Sequence, residues 1–248
     1  MKRVLVVGLV LASVASCRPG GRDDSSRQLT VFAASSLTES FTEIAHDFEQ
    51  TYRGAHVTLH FGGSAALAEQ VEQGAPADVL VTADEATMAR VSDAGSPTLI
   101  ARNRLSIVVE KGNPRKINGV ADLARSDVVL VLCATQVPCG HLAATALAKA
   151  NVSAAPRSLE ENVKGVVSKV MLGEADAGIV YVTDLREAGD KVEGVTIANA
   201  DDPELEAVYP VAVLGRTRES FLANAWKGFL IADFGQRVLR AHGFLPPK

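Results

Sequence analysis

Strand-like and helix-like patterns alternate along almost the whole chain, and that alternation admits few folds. Residues 28–33, 57–61, 79–81, 105–109, 128–132, 179–182 and 209–214 are short apolar or alternating runs, the pattern of strands. Between them Leu37, Phe41, Ile44 and Phe48 recur at helical spacing, as do Leu67 with Val71, and Val163, Val166, Val167 and Val170. Residues 85–94, 141–150, 221–231 and 234–241 also read as helices. Strands that alternate with helices define an α/β fold with a mainly parallel sheet. The runs at 105–109 and 209–213 flank a block of about 100 residues. Two such crossings with a returning C-terminus would give two lobes joined by two hinge strands, although periodicity alone does not decide it.

The first residues bear on compartment. Lys2 and Arg3 precede an apolar stretch, residues 4–14, interrupted only by Gly8 and Ser13. That is the charged and apolar layout of a secretory signal, and it is too short for a spanning helix, which needs about 20 residues. Val14-Ala15-Ser16-Cys17 resembles a bacterial lipobox. The resemblance implies a signal peptide over 1–16 and lipid on the sulfur of Cys17. The alternative is a soluble signal that ends at the same small residues, with Cys17 incidental. Residues 18–28 contain Pro, Gly, Asp, Ser, Arg and Gln and nothing apolar, so 17–27 reads as the lipidated cysteine and a flexible tether. The expectation is an exported protein, lipid-anchored on the extracytoplasmic (periplasmic) side of a bacterial membrane.

The remaining chain, about 220 residues with 47% hydrophobic content overall, can bury a sizeable core. A net charge of -4 argues against a nucleic-acid partner. The two cysteines left, Cys133 and Cys139, form an even pair in an oxidising compartment. A disulfide between them would close a loop of about seven residues, worth about 2 kcal/mol in the chain-entropy model; two buried free thiols are the alternative. Two cysteines without a well-spaced histidine make poor zinc chemistry.

Four strand-to-helix junctions are alike: Ala33-Ala34-Ser35-Ser36 before the Leu37 helix, Gly62-Gly63-Ser64 before the Leu67 helix, Val137-Pro138-Cys139-Gly140 before the Leu142 helix, and Glu161-Asn162-Val163 before the Val166 helix. A helix N-terminus offers unpaired N–H groups and partial positive charge, which together favour an anion. Each junction is also readable as a plain cap. Ser36-Leu37-Thr38-Glu39 fits a capping box, and Ser64 suits an N-cap. An enzyme finds little support. The five histidines are scattered, no Gly-x-Ser-x-Gly elbow or P-loop is present, and Asp78 and Asp84 flank a strand where they would cap or brace loops.

Several blocks, in order, resemble the molybdate-binding proteins of ABC importers, the ModA family. They are residues 31–39 (VFAASSLTE), 74–84 (GAPADVLVTAD), Gly178-Ile179-Val180-Tyr181, Tyr209-Pro210-Val211-Ala212-Val213 and the closing Gly243-Phe244. The resemblance runs from about Gln28 to Phe244. It implies a two-lobed periplasmic-binding-protein type II fold, with lobe one at 28–106 plus 212–248 and lobe two at 107–211. It implies that Ser36 and Ser64 give hydroxyl and N–H, Cys139 and Val163 give backbone N–H, and Tyr181 gives its hydroxyl to an oxyanion. Cys139 stands where the family often has alanine, a change that spares a backbone donor. Also implied are molybdate or tungstate as ligand with molybdenum present only in that oxyanion, no cofactor, no catalysis, an ABC permease with its ATPase as partner, and a monomer. A related protein for sulfate or another tetrahedral oxyanion is the competing expectation.

Overall fold

A computed structural model describes residues 27–247. The expected signal peptide, Cys17 and all of the tether but Arg27 lie outside the described residues. The chain runs β1 (Arg27–Ala34), α1 (Thr38–Thr51), β2 (Ala55–Gly62), α2 (Ser64–Glu72), β3 (Val79–Val81), α3 (Glu85–Ala89), β4 (Thr98–Glu110), β5 (Leu130–Cys133) and α4 (Pro138–Lys149). It continues through β6 (Ser158–Glu160), α5 (Val163–Met171), β7 (Ala177–Tyr181), α6 (Val182–Ala188), β8 (Val192–Thr196), β9 (Glu206–Val213), α7 (Ser220–Ile231) and α8 (Asp233–Ala241).

The strands follow the order β2-β1-β3-β9-β4-β7-β5-β6, with β8 added on β4. β1 pairs in parallel with β2 and β3, and β5 in parallel with β6 and β7. Every antiparallel pairing in the sheet involves β4 or β9. The fold is therefore α/β as expected, with the antiparallel component confined to the two crossing strands. β4 changes partners along its length: residues 98–104 lie on β9, and residues 105–110 on β7 and β8. β9 pairs only with β3 and with the first half of β4, so residues 206–211 share a sheet with β1 to β3.

Physical reasons account for where the elements differ from the sequence reading. β4 begins at Thr98, because Arg102, Asn103 and Arg104 interrupt its apolar run yet are accommodated. Arg102 bonds Glu206 and the Pro246 carbonyl, Arg104 faces Glu206, and Asn103 is buried with partners of its own. The strand read as 179–182 ends at Tyr181, and Val182 opens α6. The helix read over 85–94 stops at Ala89, and Ala94 bridges to Leu214.

Two packing layers hold the helices that carry the site. Phe41, Ile44 and Phe48 on α1 are fully buried, and the rings of Phe41 and Phe48 stand edge-on to Trp226 of α7. On α5, Val163, Val166, Val167 and Val170 form one buried stripe. Gly178 of β7 leaves room for Val166, which would overlap any β-carbon there. Burial of each such side chain contributes about 1.5–3 kcal/mol, which anchors both helix N-termini against the sheet.

Candidate anion-binding site

In parallel strands the carboxyl ends point the same way, and here each leads directly into a helix. The ends of β1, β2, β6 and β7, together with the turn after β5, meet at one cavity of about 20 Å³ between the two groups of strands. That space suits a compact ion rather than a nucleotide or a peptide. Ser36, Ser64, Cys139, Val163 and Tyr181 all line it. The structure thus brings together every residue the sequence singled out for the site.

The two serines are not helix caps. Leu37 occupies the N-cap position of α1, with no side-chain cap bond. Ser36 is buried instead, with its Oγ 2.9 Å from the hydroxyl of Tyr209. Ser64 is the first residue of α2, behind Gly63, and its Oγ accepts the N–H of Ala83 at 3.0 Å. The Ser64 proton is then free to point elsewhere, and the cavity is the space it lines.

Backbone donors come from two further helix starts. Pro138 opens α4 with its preset φ, and the Gly140 and His141 N–H groups both turn to the Val137 carbonyl. Cys139, the second residue of α4, is too early in the helix for an intrahelical acceptor, as is Val163 at the first position of α5. The Asn162 side chain caps α5 by accepting from Gly165 N–H at 3.1 Å. Cys133 and Cys139 are joined by a disulfide with Cα atoms 5.8 Å apart, which ties the end of β5 to the first turn of α4.

Tyr181 is fully buried, and its hydroxyl has no hydrogen-bond partner among the described residues. Burial pushes its pKa well above that of an ordinary phenol, with the nearby Tyr209, Asp184 and Asp84 acting in the same direction, so it stays a neutral donor. Its N–H bonds Asp184 Oδ2 at 3.1 Å. Asp184 is itself buried, and its pKa is raised by that burial to about 6 despite Lys164 at 3.7 Å. Among the described residues that line the cavity, none is Lys, Arg or His. Glu161, exposed, is the one acidic residue in that lining, and the groups that Ser36, Ser64, Cys139, Val163 and Tyr181 offer are neutral hydroxyls and amides, all able to donate.

Sequence reasoning missed the supporting residues. Tyr209 and Asn103 stand behind Ser36. Lys164 on α5 pairs with Glu39 on α1, with Nζ–Oε distances of 2.8 and 2.9 Å. Gly63 lies against the Glu161 carbonyl. Tyr209 sits in a recognisable block, but only its position beside Ser36 shows what it touches.

Two sets of parallel strands tied by antiparallel crossings, with helix N-termini facing each other over a small donor-lined cavity, define a ligand-binding protein of the periplasmic type. The model of the family described as bacterial extracellular solute-binding protein matches residues 29–245. The molybdate-binding protein ModA of Mycobacterium tuberculosis is 39% identical over 250 residues, covering 98% of this chain and 95% of that protein. ModA of Haemophilus influenzae is 28% identical, covering 89% and 91%. Among solved structures, the periplasmic molybdate-binding protein of Azotobacter vinelandii superposes with TM-score 0.72 at 20% identity, covering 89% of this chain and all of that one. The sulfate-binding protein SubI of M. tuberculosis gives 0.75 at 20% identity, covering 89% and 87%. The chain belongs to the ModA family of bacterial extracellular solute-binding proteins.

Proposed function

We propose that this protein captures molybdate, and tungstate with it, outside the cytoplasm and delivers it to an ABC importer. The observation that carries the reading is the buried hydroxyl of Tyr181, without a hydrogen-bond partner among the described residues, beside two serine hydroxyls and two helix-start amides. A buried donor without a partner is costly, and an oxyanion oxygen would satisfy it. Molybdate and tungstate carry no proton near neutral pH, so a shell made only of donors fits them. Hydrogen bonds to a charged oxygen are about twice as strong as neutral ones, and neutral donors avoid burying a fixed cation in the empty site. The relatives from Mycobacterium tuberculosis and Haemophilus influenzae are named for molybdate.

In this reading Ser36 and Ser64 belong to one lobe and Cys139, Val163 and Tyr181 to the other. The change of partners along β4 and the pairing of β9 with β3 and β4 support hinge points in those two strands. An anion that bonds both lobes favours the closed arrangement, because only closure makes all the bonds. That closed arrangement, in a monomer, is what the permease would recognise, with its ATPase driving transport. The lipobox-like sequence supports an anchor through Cys17. A relative from Bacillus subtilis at 27% identity is named a putative ABC transporter substrate-binding lipoprotein.

A melting-temperature panel tests the ligand class. Molybdate and tungstate should raise the melting temperature by several degrees and sulfate by much less; no shift with any tetrahedral oxyanion overturns the reading.

A further inference from the structure

Tyr209 touches Ser36 but is absent from the cavity lining. We propose that Tyr209 and Asn103 are positioning residues that lock the Ser36 hydroxyl as a donor toward the bound oxyanion, an inference that rests on the oxyanion reading above.

The direction of each hydrogen bond can be worked out from the far end. Asn103 is buried in β4, and its Oδ1 accepts the Arg104 N–H at 3.0 Å, which fixes the Nδ2 end of the amide. Nδ2 donates to Thr183 Oγ1 at 2.8 Å and to Tyr209 Oη at 3.4 Å. An amide nitrogen cannot accept, so the Tyr209 oxygen accepts a hydrogen bond from Asn103. Tyr209 keeps its own proton: burial raises its pKa, and that outweighs the hydrogen bonds shared with Ser36 and Asn103. Among the described residues, Ser36 Oγ at 2.9 Å is the remaining oxygen bonded to that hydroxyl. Were Ser36 the donor instead, the Tyr209 proton would have no acceptor in a fully buried position, a costly arrangement. Tyr209 therefore donates, Ser36 accepts, and the Ser36 proton is left for the cavity.

Ser64 reaches the same polarity by another route, since Ala83 N–H occupies its oxygen. A backbone amide cannot be altered by substitution, but the Asn103–Tyr209–Ser36 chain can be reversed. Asn103→Asp is close to isosteric and puts an acceptor where a donor stood. Tyr209 would then donate to the new carboxylate and Ser36 to Tyr209, leaving a Ser36 lone pair toward the cavity. The site would lose a donor and gain an acceptor. It should then bind a proton-free dianion less well and be relatively kinder to hydrogenphosphate, a dianion that carries a proton. The added negative charge opposes both dianions alike, so the ratio of affinities isolates the hydrogen-bond polarity.

Calorimetric titration of wild type, Asn103→Asp, Tyr209→Phe and Ser36→Ala with tungstate and with inorganic phosphate at slightly alkaline pH tests this, with ligand-free melting temperatures alongside. The expected result for Asn103→Asp is a loss of about tenfold or more in tungstate affinity, with the tungstate-over-phosphate preference narrowed by about tenfold. Tyr209→Phe removes the lock without reversing it, so a tungstate loss of about three- to tenfold, no larger than for Ser36→Ala, is expected. If Asn103→Asp does not fold, the Tyr209→Phe result decides. Failure of the wild type to bind tungstate would overturn the oxyanion reading itself. Wild-type binding with both variants unchanged, or with both anions weakened in equal proportion, would overturn the positioning role alone.

Discussion

Gly63, between β2 and α2, lies directly against the backbone carbonyl of Glu161, before α5; that oxygen fills the space a β-carbon would take. The φ of Gly63 is -65°, a value any residue adopts, so glycine is needed for the contact and not for the backbone conformation. Both loops line the cavity.

Gly63→Ala should therefore hold the loops apart. Anion affinity is expected to fall by more than about tenfold, with the ligand-free melting temperature little changed because alanine suits this φ. Calorimetry with differential scanning of the same sample checks both. Unaltered affinity would mean that the loops need not meet for binding.

Lys164 and Glu39 form the second contact across the cavity, partly exposed, with Asp184 buried behind the lysine. A pair at this exposure is worth up to about 1 kcal/mol and is screened by salt. Lys164→Met should weaken anion binding by about that amount in dilute buffer, with the difference from wild type shrinking in concentrated salt. A salt-independent loss would point to packing by the lysine stem instead.

His242 bridges two elements that approach from different sheets. Its Nδ1 lies 2.7 Å from Glu187 of α6, and its Nε2 2.8 Å from Glu43 of α1. Both nitrogens donate only when the ring is protonated. Burial lowers the His242 pKa, but the bonds to Glu187 and Glu43 outweigh it and the net shift is upward. The stabilisation is full below the ordinary imidazole pKa of about 6.5 and is lost as pH rises through the raised value. Asp184, raised from 3.8 to about 6, loses its contribution in a lower window, between about pH 4 and 6. Melting temperature should thus fall in two steps as pH rises, and His242→Gln should remove the upper step alone. A pH profile identical to wild type would rule out the bridge.

The Cys133–Cys139 disulfide joins residues six apart in sequence and holds the loop that presents Cys139 N–H. Its reduction should lower unfolding stability by about 2 kcal/mol and weaken anion binding as well. Intact-mass measurement after alkylation gives the redox state: these two cysteines should take no label before reductant and two labels after. Labelling of both without reductant would exclude the bond.

Much of the fold is legible in the residue pattern, and the gaps have physical causes. The apolar stripes of α1 and α5 announce themselves at helical spacing, because each buries one face only. β4 hides its full length because buried polar residues, Asn103 above all, look like a break in a strand. The serines illustrate the limit at the site. Local sequence offers Ser36 and Ser64 as caps, and only long-range partners, Tyr209 and the Ala83 amide, give them another task. Tyr181 carries no local signal as a ligand at all. It enters through the family resemblance, and its unpartnered hydroxyl gives it a physical basis. Tyr209 and Asn103 are invisible to spacing because residues distant in sequence meet only where the crossing strands pair.

In the proposed function the donors favour proton-free tetrahedral dianions, and the size of the cavity favours molybdate and tungstate over sulfate, which also carries no proton. Titration calorimetry of the purified protein with molybdate, tungstate and sulfate measures this directly. The prediction is much tighter binding of molybdate and tungstate, by two orders of magnitude or about 3 kcal/mol, than of sulfate. Equal affinity for sulfate and molybdate, or preference for sulfate, would contradict it.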